Sequence, residues 1–185
     1  MNFVNHGNLE GLHAPFSPSQ PSWLNYTDET AVLVFQNKKA AELGTRLHAW
    51  AKETIDLGLK QPKSNKTICA FVNDAIGYRM STEVVLFYSD RFFGTADAIS
   101  FKNGKLRIHD LKTGKIKAHM EQLKIYAALF CLEYKVKPSE IEIELRIYQN
   151  DEVIIDNPTP EDITTVMETI IHLDKLLAKL ENEEG

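Results

Sequence analysis

Features that would place this chain in a specialised class are scarce. There are 2 cysteines in 185 residues, which is too few for a disulfide-rich scaffold or for the four thiolates of a usual iron–sulfur cluster. No apolar run approaches the roughly 18–20 residues that span a bilayer, and the polar N-terminus lacks the basic-then-apolar order of a signal peptide. We therefore expect a cytoplasmic protein that has no membrane partner, with Cys69 and Cys131 as buried free thiols.

An excess of positive charge is also lacking, because the formal net charge is −5. The charges are nevertheless unevenly distributed along the chain. Residues 101–124 carry seven basic and two acidic side chains, whereas residues 151–185 carry ten acidic and two basic ones. A polyanion would be attracted to the first segment and repelled by the second. Ordinary solvated surface charge explains the same distribution equally well.

The length and the hydrophobic content of 43% predict one compact domain over 1–185, in which residues 1–16 form a loop or arm. The segment Ser17-Pro18-Ser19 predicts a helix start, because serine is a favoured N-cap and proline suits the first turn. A short helix through Trp23 and Leu24 would follow it.

Two longer helices are predicted in the first half of the chain. Asp28 is the expected N-cap of a helix over 29–57, which Gly44 weakens locally. Residues 31–35 are wholly apolar, so a short buried strand there remains open. A further helix is predicted over 64–79.

The hydrophobic period then changes from helical to alternating. Three strands are predicted over 83–87, 94–101 and 106–111. Asn103-Gly104 lies between the second and third of these strands and favours a type I′ hairpin, because both residues tolerate positive φ. The second and third strands are therefore predicted to be adjacent and antiparallel.

The last third of the chain predicts a helix over 118–134, strands over 141–148 and 153–155, and an amphipathic helix over 160–180. The complete order is three helices, three strands, one helix, two strands and one helix. This order predicts an α/β (α+β) fold with a mixed central β-sheet flanked by helices.

The stretch Asp110-Leu111-Lys112 ends the third predicted strand. Side chains alternate along a strand, so Asp110 and Lys112 share one face about 7 Å apart while Leu111 points to the other. In the predicted hairpin, residues whose numbers sum to about 207 face each other, which makes Asp97 a cross-strand neighbour of Asp110. Two adjacent carboxylates repel each other unless a cation lies between them, and oxygen ligands of this kind suit Mg²⁺ or Mn²⁺.

Two pairs of residues lie one turn apart on predicted helices. Gly44 and His48 share a face of the long helix, where the imidazole can serve as a nitrogen ligand. Gln122 and Tyr126 share a face of the helix that follows the Asp-x-Lys strand. Taken singly, each motif is more often structural than functional: a packing glycine, a half-buried histidine, an amphipathic tyrosine or a strand ion pair.

In this order, the motifs resemble the pattern of the RecB-type branch of the PD-(D/E)XK nucleases, which includes the lambda-type exonucleases and the CRISPR-associated RecB-like exonucleases. That pattern is G-x-x-x-H on a helix, G-x-x-D on a strand, (D/E)-x-K on the next strand and Q-x-x-x-Y on a helix. The opening Ser-Pro-Ser…Trp-Leu-Asn segment is similar to that of phage-encoded members. The matching motifs here are Gly44 to His48, Gly94 to Asp97, Asp110 to Lys112, and Gln122 to Tyr126.

The resemblance implies a restriction-endonuclease-like core and a DNA exonuclease that acts in recombination or repair in a bacterium or a phage-infected cell. It implies no iron–sulfur cluster, but a Mg²⁺ or Mn²⁺ ion held by His48, Asp97, Asp110 and the Leu111 carbonyl. Lys112 would orient or help to deprotonate the attacking water. The implied catalytic set is completed by two residues that position the strand or the lysine, Gln122 and Tyr126.

Several other assignments stay open at this point. Glu83 is a candidate extra ligand, although an exposed strand glutamate explains it as well. The DNA backbone is expected to lie along four lysines that are equally explained as solvated surface, namely Lys102, Lys105, Lys115 and Lys117. The same metal site would serve a structure- or site-specific endonuclease, and the fold would also serve a non-catalytic DNA- or protein-binding module. A homo-oligomer or a recombination partner protein is also left open.

Overall fold

The computed structural model of the chain describes residues 4–9, 11 and 13–184. That part of the chain forms an α+β structure in which four α-helices flank a five-stranded mixed sheet. The predicted fold class is therefore confirmed at the level of architecture. The helices and strands are α1 (Asp28–Asp56), α2 (Thr67–Tyr78), β1 (Ser81–Ser89), β2 (Phe92–Lys102), β3 (Lys105–Leu111), α3 (Glu121–Tyr134), β4 (Glu142–Gln149), β5 (Glu152–Asp156) and α4 (Pro160–Glu184).

The chain divides into two compact units, Met1–Thr45 and Arg46–Gly185, and the expectation of a single domain stays a prediction. In the first unit, a 3₁₀-helix spans Pro21–Asn25, so the predicted start at Ser17 is wrong. Ser17 instead closes a turn, because its carbonyl oxygen accepts hydrogen bonds from the Gln20 N–H at 3.1 Å and the Trp23 indole at 3.0 Å. The proline that enters the first helical turn is Pro21.

The helix α1 includes residues 31–35, so the alternative of a strand there is wrong. Its N-cap is Thr27 rather than Asp28, because the Thr30 N–H donates to the Thr27 hydroxyl at 3.2 Å. Asp28 lies in the first turn beside Glu29, where negative charge complements the helix dipole.

The five strands of the second unit are ordered β1-β2-β3-β4-β5, and each neighbouring pair is antiparallel except β3 and β4, which are parallel. The helix α3 makes the crossover that a parallel pair requires. Asn103 and Gly104 have φ angles of 52° and 74°, which confirms the predicted type I′ turn. The predicted register is confirmed from Lys102↔Lys105 to Ala98↔His109.

Each face of the sheet has its own hydrophobic core. On one face α3 and α4 cover Leu106, Ile108, Leu145 and Ile147. On the other face, α2 and the last turns of α1 cover Leu111 and Tyr148, through residues that include Ala51, Ile55, Phe71, Val72 and Ala75. The strand β3 is therefore buried on both sides, and alternate side chains enter different environments.

Both cysteines are free. Cys131 is buried as expected, and burial raises the pKa of its thiol to about 11. Cys69 is only half-buried on α2. Within the described ranges, every helix falls short of the combined length and apolarity that a membrane crossing requires.

Candidate active site

The site begins where the β2–β3 ladder stops. The last paired residues are Ala98 and His109, so the ladder ends one residue short of the expected Asp97–Asp110 pair. In its place, the Leu111 backbone N–H donates a hydrogen bond of 2.8 Å to Asp97 Oδ2. The strands separate at this point, and a carboxylate takes the position that a backbone carbonyl would have held.

Asp110 and Lys112 share one side of the β3 end, as strand alternation predicts. Lys112 Nζ lies 3.0 Å from Asp110 Oδ2, and their side chains are 29% and 4% exposed. Burial raises the pKa of the Asp110 carboxyl, and the negative charge of Asp97 raises it further against the opposing effect of Lys112. An ionised Asp110 is therefore under-compensated by the protein's own charges, which is the condition that a bound cation relieves.

A hydrogen-bonded relay connects Lys112 to α3. Its ammonium group donates to Gln122 Oε1 at 2.7 Å, and Gln122 Nε2 donates to the Tyr126 hydroxyl at 3.1 Å. The two α3 residues lie one helical turn apart, so both face the strand end. The structure thus brings the lysine, the amide and the phenol together in one continuous chain of contacts.

The glycine of the second motif has a defined structural purpose. A Cβ atom added to Gly94 would lie 2.8 Å from Cε1 of Tyr126, which is too close for any real contact. Gly94 therefore allows the tyrosine ring to lie directly on β2. The second and fourth motifs are coupled by this contact, although they are far apart in the sequence.

His48 enters the site from α1, within the second unit. Its Nδ1 lies 3.4 Å from Asp97 Oδ2. The contact with the Asp97 carboxylate raises the pKa of His48 against the opposing effect of burial, and the charges of Asp110 and Glu83 raise it further. Ligand atoms of His48, Glu83 and Asp97 lie within 4.8 Å of one another, which is a separation that one cation could bridge.

The structure places Glu83 beside two other candidate ligands, an arrangement that the sequence alone left open. The β1–β2 ladder skips Glu83 and Asp97 between the pairs Thr82↔Ala98 and Val84↔Ala96. Glu83 also has a φ of 50°, in the left-handed region that costs a non-glycine residue about 1 kcal/mol or more. This local irregularity brings its carboxylate beside His48 and Asp97. No sequence period signals such a turn inside a strand.

The four lysines proposed for DNA contact are placed in two different regions. Lys102 and Lys105 flank the Asn103-Gly104 turn, at the opposite end of β3 from Asp110. Lys102 donates to the Tyr78 and Arg79 carbonyls, and Lys105 is paired with Glu142 and Glu144. Lys115 and Lys117 are exposed on the segment between β3 and α3, directly after the site. The structure therefore brings only the second pair near the candidate residues.

An open cleft of about 340 Å³ adjoins the lysine. Its walls come from the ends of β3 and β4 and from the start of α2, and it is lined by Leu47, Lys66, Thr67, Ile68, Leu111, Lys112, Thr113, Asn150 and Asp151.

Sequence reasoning missed Gln149, the last residue of β4. Its side chain is 4% exposed and contacts the segment between β3 and α3 through three hydrogen bonds. A single amide at the end of an alternating strand carries no distinctive pattern, and only the parallel pairing of β3 with β4 places it beside that segment.

No family model, no curated protein and no solved structure matches this chain.

Proposed function

We propose that this chain is a metal-dependent nuclease that hydrolyses phosphodiester bonds in DNA, and that it acts as an exonuclease in phage or bacterial recombination or repair. Hydrolysis adds water across a phosphorus–oxygen bond and leaves a phosphate monoester and a hydroxyl group. The exonuclease assignment is supported by the resemblance of the ordered motifs to the RecB-type branch.

One observation carries the proposal. Two carboxylates and a lysine converge where the β2–β3 ladder ends, and α3 holds the lysine through Gln122 and Tyr126, which form the fourth motif of the pattern. Asp97 lies between Ala96 and Ala98, and Asp110 is buried, so an unused charge at either position is costly. A purely structural ion pair would need neither the second carboxylate nor the Gln122–Tyr126 relay.

The ligand atoms of His48, Glu83 and Asp97 are close enough for one divalent cation, and the charge of Asp97 also acts on Asp110. Asp97 and Asp110 would hold Mg²⁺ or Mn²⁺, together with the His48 imidazole and the Leu111 carbonyl, and Glu83 is a further ligand of the right chemistry. When bound, such an ion polarises the phosphate and lowers the pKa of a coordinated water. The raised pKa of Asp110 supports this fit, because a cation offsets the repulsion between two carboxylates.

The chain's own groups would then act on the water and the phosphate. Lys112 would orient the attacking water and offset negative charge that develops on the phosphate oxygens. Gln122 would keep the lysine ammonium at the strand end, because it accepts the hydrogen bond at 2.7 Å. Tyr126 would in turn fix the rotamer of Gln122, and His48 would fix Asp97.

A cleavage assay tests the function. Linear and circular DNA, single- and double-stranded, are incubated with the protein in Mg²⁺, in Mn²⁺ or in EDTA. Asp110→Asn tests the site without a change of side-chain size, and Asp90→Asn is its matched control, because Asp90 is an exposed carboxylate in the β1–β2 turn. We expect metal-dependent loss of linear DNA by the wild type and by Asp90→Asn, but not by Asp110→Asn.

The other outcomes are equally informative. Cleavage of closed circles would replace the exonuclease with an endonuclease that uses the same site. Full activity of a Lys112→Ala protein would refute the assignment of the site. Absence of cleavage with either metal, together with binding of DNA, would establish a non-catalytic binding module.

A further inference from the structure

The segment between β3 and α3, residues 113–120, starts and returns at the candidate site. Lys112 precedes it and Gln122 follows it closely, and the side chains of these two residues are hydrogen bonded at 2.7 Å. The loop therefore lies directly beside the candidate site.

Buried Gln149 holds the loop in one conformation. Its Nε2 donates to the Gly114 and Ile116 carbonyls, both at 2.7 Å, and its Oε1 accepts from the Ala118 N–H at 2.9 Å. The loop has no helix or strand hydrogen bonds over 113–119, so this one amide provides the order that a ladder would otherwise give. An amide that satisfies both its donors and its acceptor stabilises its partners without leaving a buried polar group unpaired.

The clamped loop presents an unusual set of side chains to solvent. Ile116 is 90% exposed, and exposed Lys115 and Lys117 flank it. An isoleucine in that position adds nothing to either hydrophobic core. One exposed apolar side chain therefore lies between two exposed lysines in the sequence, beside the candidate site. The substrate expected there is DNA, which combines a charged backbone with apolar base faces.

We propose that the loop 113–118 binds one strand of the DNA next to the reacting phosphate. Lys115 and Lys117 contact backbone phosphates, Ile116 packs against the face of an unpaired base, and Gln149 is the positioning residue that orders all three. This inference rests on the proposed nuclease function. An apolar side chain reaches a base face only where the strand is single or the duplex end is opened, so the loop binds single-stranded segments more tightly than intact duplex.

Binding in EDTA, where metal-dependent cleavage is off, tests the two lysines. A fluorescein-labelled single-stranded 20-mer is titrated with the full chain and followed by anisotropy at several salt concentrations. For Lys115→Gln/Lys117→Gln we expect Kd to rise about 10-fold and the slope of log Kd against log salt to fall by about 1.4, since each phosphate contact to a single strand contributes about 0.7. The control is Lys135→Gln/Lys137→Gln, which alters a second exposed Lys-x-Lys segment just after the end of α3. Equal effects from both pairs would overturn the proposal.

The apolar contact is tested by Ile116→Ser. We expect its Kd for the single strand to rise several-fold with no change in the salt slope, because no charge is removed. An unchanged Kd, or an equal loss for an intact blunt duplex, would overturn the assignment of Ile116 to a base.

Two variants test the contact between Gln149 and the loop. Gln149→Met keeps the side-chain length and removes all three hydrogen bonds, whereas Gln149→Glu keeps only the acceptor. In both we expect faster trypsin cleavage after Lys115 and Lys117, because the bonds to the Gly114 and Ile116 carbonyls are lost. Exchange of the Ala118 amide should be faster in Gln149→Met, which also lacks the acceptor of that amide. KM for DNA should rise more than kcat falls. Undisturbed Ala118 exchange in folded Gln149→Met would overturn the positioning assignment.

Failure of this inference differs from failure of the proposed function. If the wild type cleaves DNA and the loop variants bind as it does, the loop proposal is wrong and the nuclease stands. If the wild type neither binds nor cleaves DNA, both are wrong.

Discussion

The two faces of β3 carry similar side chains in very different surroundings. On the α3 face, Asp110 and Lys112 stand at the end of the strand, where the negative charge of Asp97 acts on Asp110. On the α2 face, Arg107 and His109 lie within a network that is paired across several elements. The chemical types are alike, and only their arrangement separates a candidate site from a structural network.

The α2-face network closes on itself around Arg146 of β4. Its guanidinium contacts Glu144 at 2.9 Å, Asp74 at 3.0 Å and the Tyr78 hydroxyl at 3.0 Å. The Tyr148 hydroxyl donates to Asp74 at 2.7 Å and lies 3.1 Å from His109 Nδ1. Buried charges that find opposite charges in this way fix the docking of α2 on the sheet. Asp97 and Asp110 repel each other instead, and Lys112 offsets that repulsion only in part.

The largest expected effect is a difference in DNA cleavage between variants on the two faces of β3. Asp97→Asn should lower the rate of DNA cleavage at least about 1,000-fold, because it removes the charge of a proposed metal ligand, one of the three carboxylates in the site. Asp74→Asn makes the same chemical change on the α2 face and should leave the rate per folded molecule within about 3-fold. Initial rates in Mg²⁺, normalised by the folded fraction from circular dichroism, measure both. Comparable losses in the two variants would remove the distinction between the faces.

The second expected effect is a loss of stability when the network on the α2 face is broken. Arg146→Ala leaves Glu144 and Asp74 without their shared partner, and we expect it to lower the free energy of unfolding by about 3 kcal/mol. Urea denaturation measures this change, with exposed Lys63→Ala as the control that should stay within about 0.5 kcal/mol. The prediction fails if Arg146→Ala is as stable as the control.

His109 and His48 should make the stability of the protein depend on pH in opposite directions. Burial, with the positive charge of Arg146, lowers the pKa of His109 to about 3, so the unfolded state takes up a proton near pH 6.5 while the folded state does not. The contribution of His109 to the free energy of unfolding should therefore decrease by about 1.4 kcal/mol for each pH unit below about 6. The pKa of His48 is raised in the folded protein. In EDTA, its contribution to the free energy of unfolding is therefore fully present below pH 6.5 and is lost as the pH rises through that raised pKa.

Urea unfolding between pH 4.5 and pH 8 tests these opposite signs by comparing the wild type with His109→Asn and His48→Asn. Asparagine can keep the hydrogen bond of His109 Nδ1 and the contact of His48 Nδ1 with Asp97, while it removes the titration. Subtracting the free energy of unfolding of each variant from that of the wild type cancels the titration of the carboxylates that all three proteins share. A His109→Asn difference that does not change with pH would contradict the buried neutral state.

The smallest expected effect acts inside the site. Gly94→Ala pushes a methyl group against the Tyr126 ring, which should displace the hydroxyl from Gln122 and lower cleavage about 10-fold. Tyr126→Ala removes the clash, so adding Gly94→Ala to it should cost little more. A double-mutant cycle of initial rates measures the coupling. Additive losses would mean that Gly94 and Tyr126 act separately.

Much of the fold follows from local sequence features. The I′ turn at Asn103-Gly104 sets the β2–β3 register, because two residues with positive φ close a two-residue hairpin. Alternation then puts Asp110 and Lys112 on one side, and helical spacing puts Gln122 beside Tyr126. These regularities depend on near neighbours in the chain, which is why they could be predicted.

Other features were set by contacts between distant residues. The ladder stops before Asp97, the backbone of Glu83 turns into the left-handed region, and Gln149 reaches the loop after β3. None of these follows a period or a motif. The sequence alone determined which residue types reach the end of β3. Only the tertiary structure decided which charges there are compensated in part and which in full, because charge compensation depends on side chains that the folding of separate helices and strands brings together.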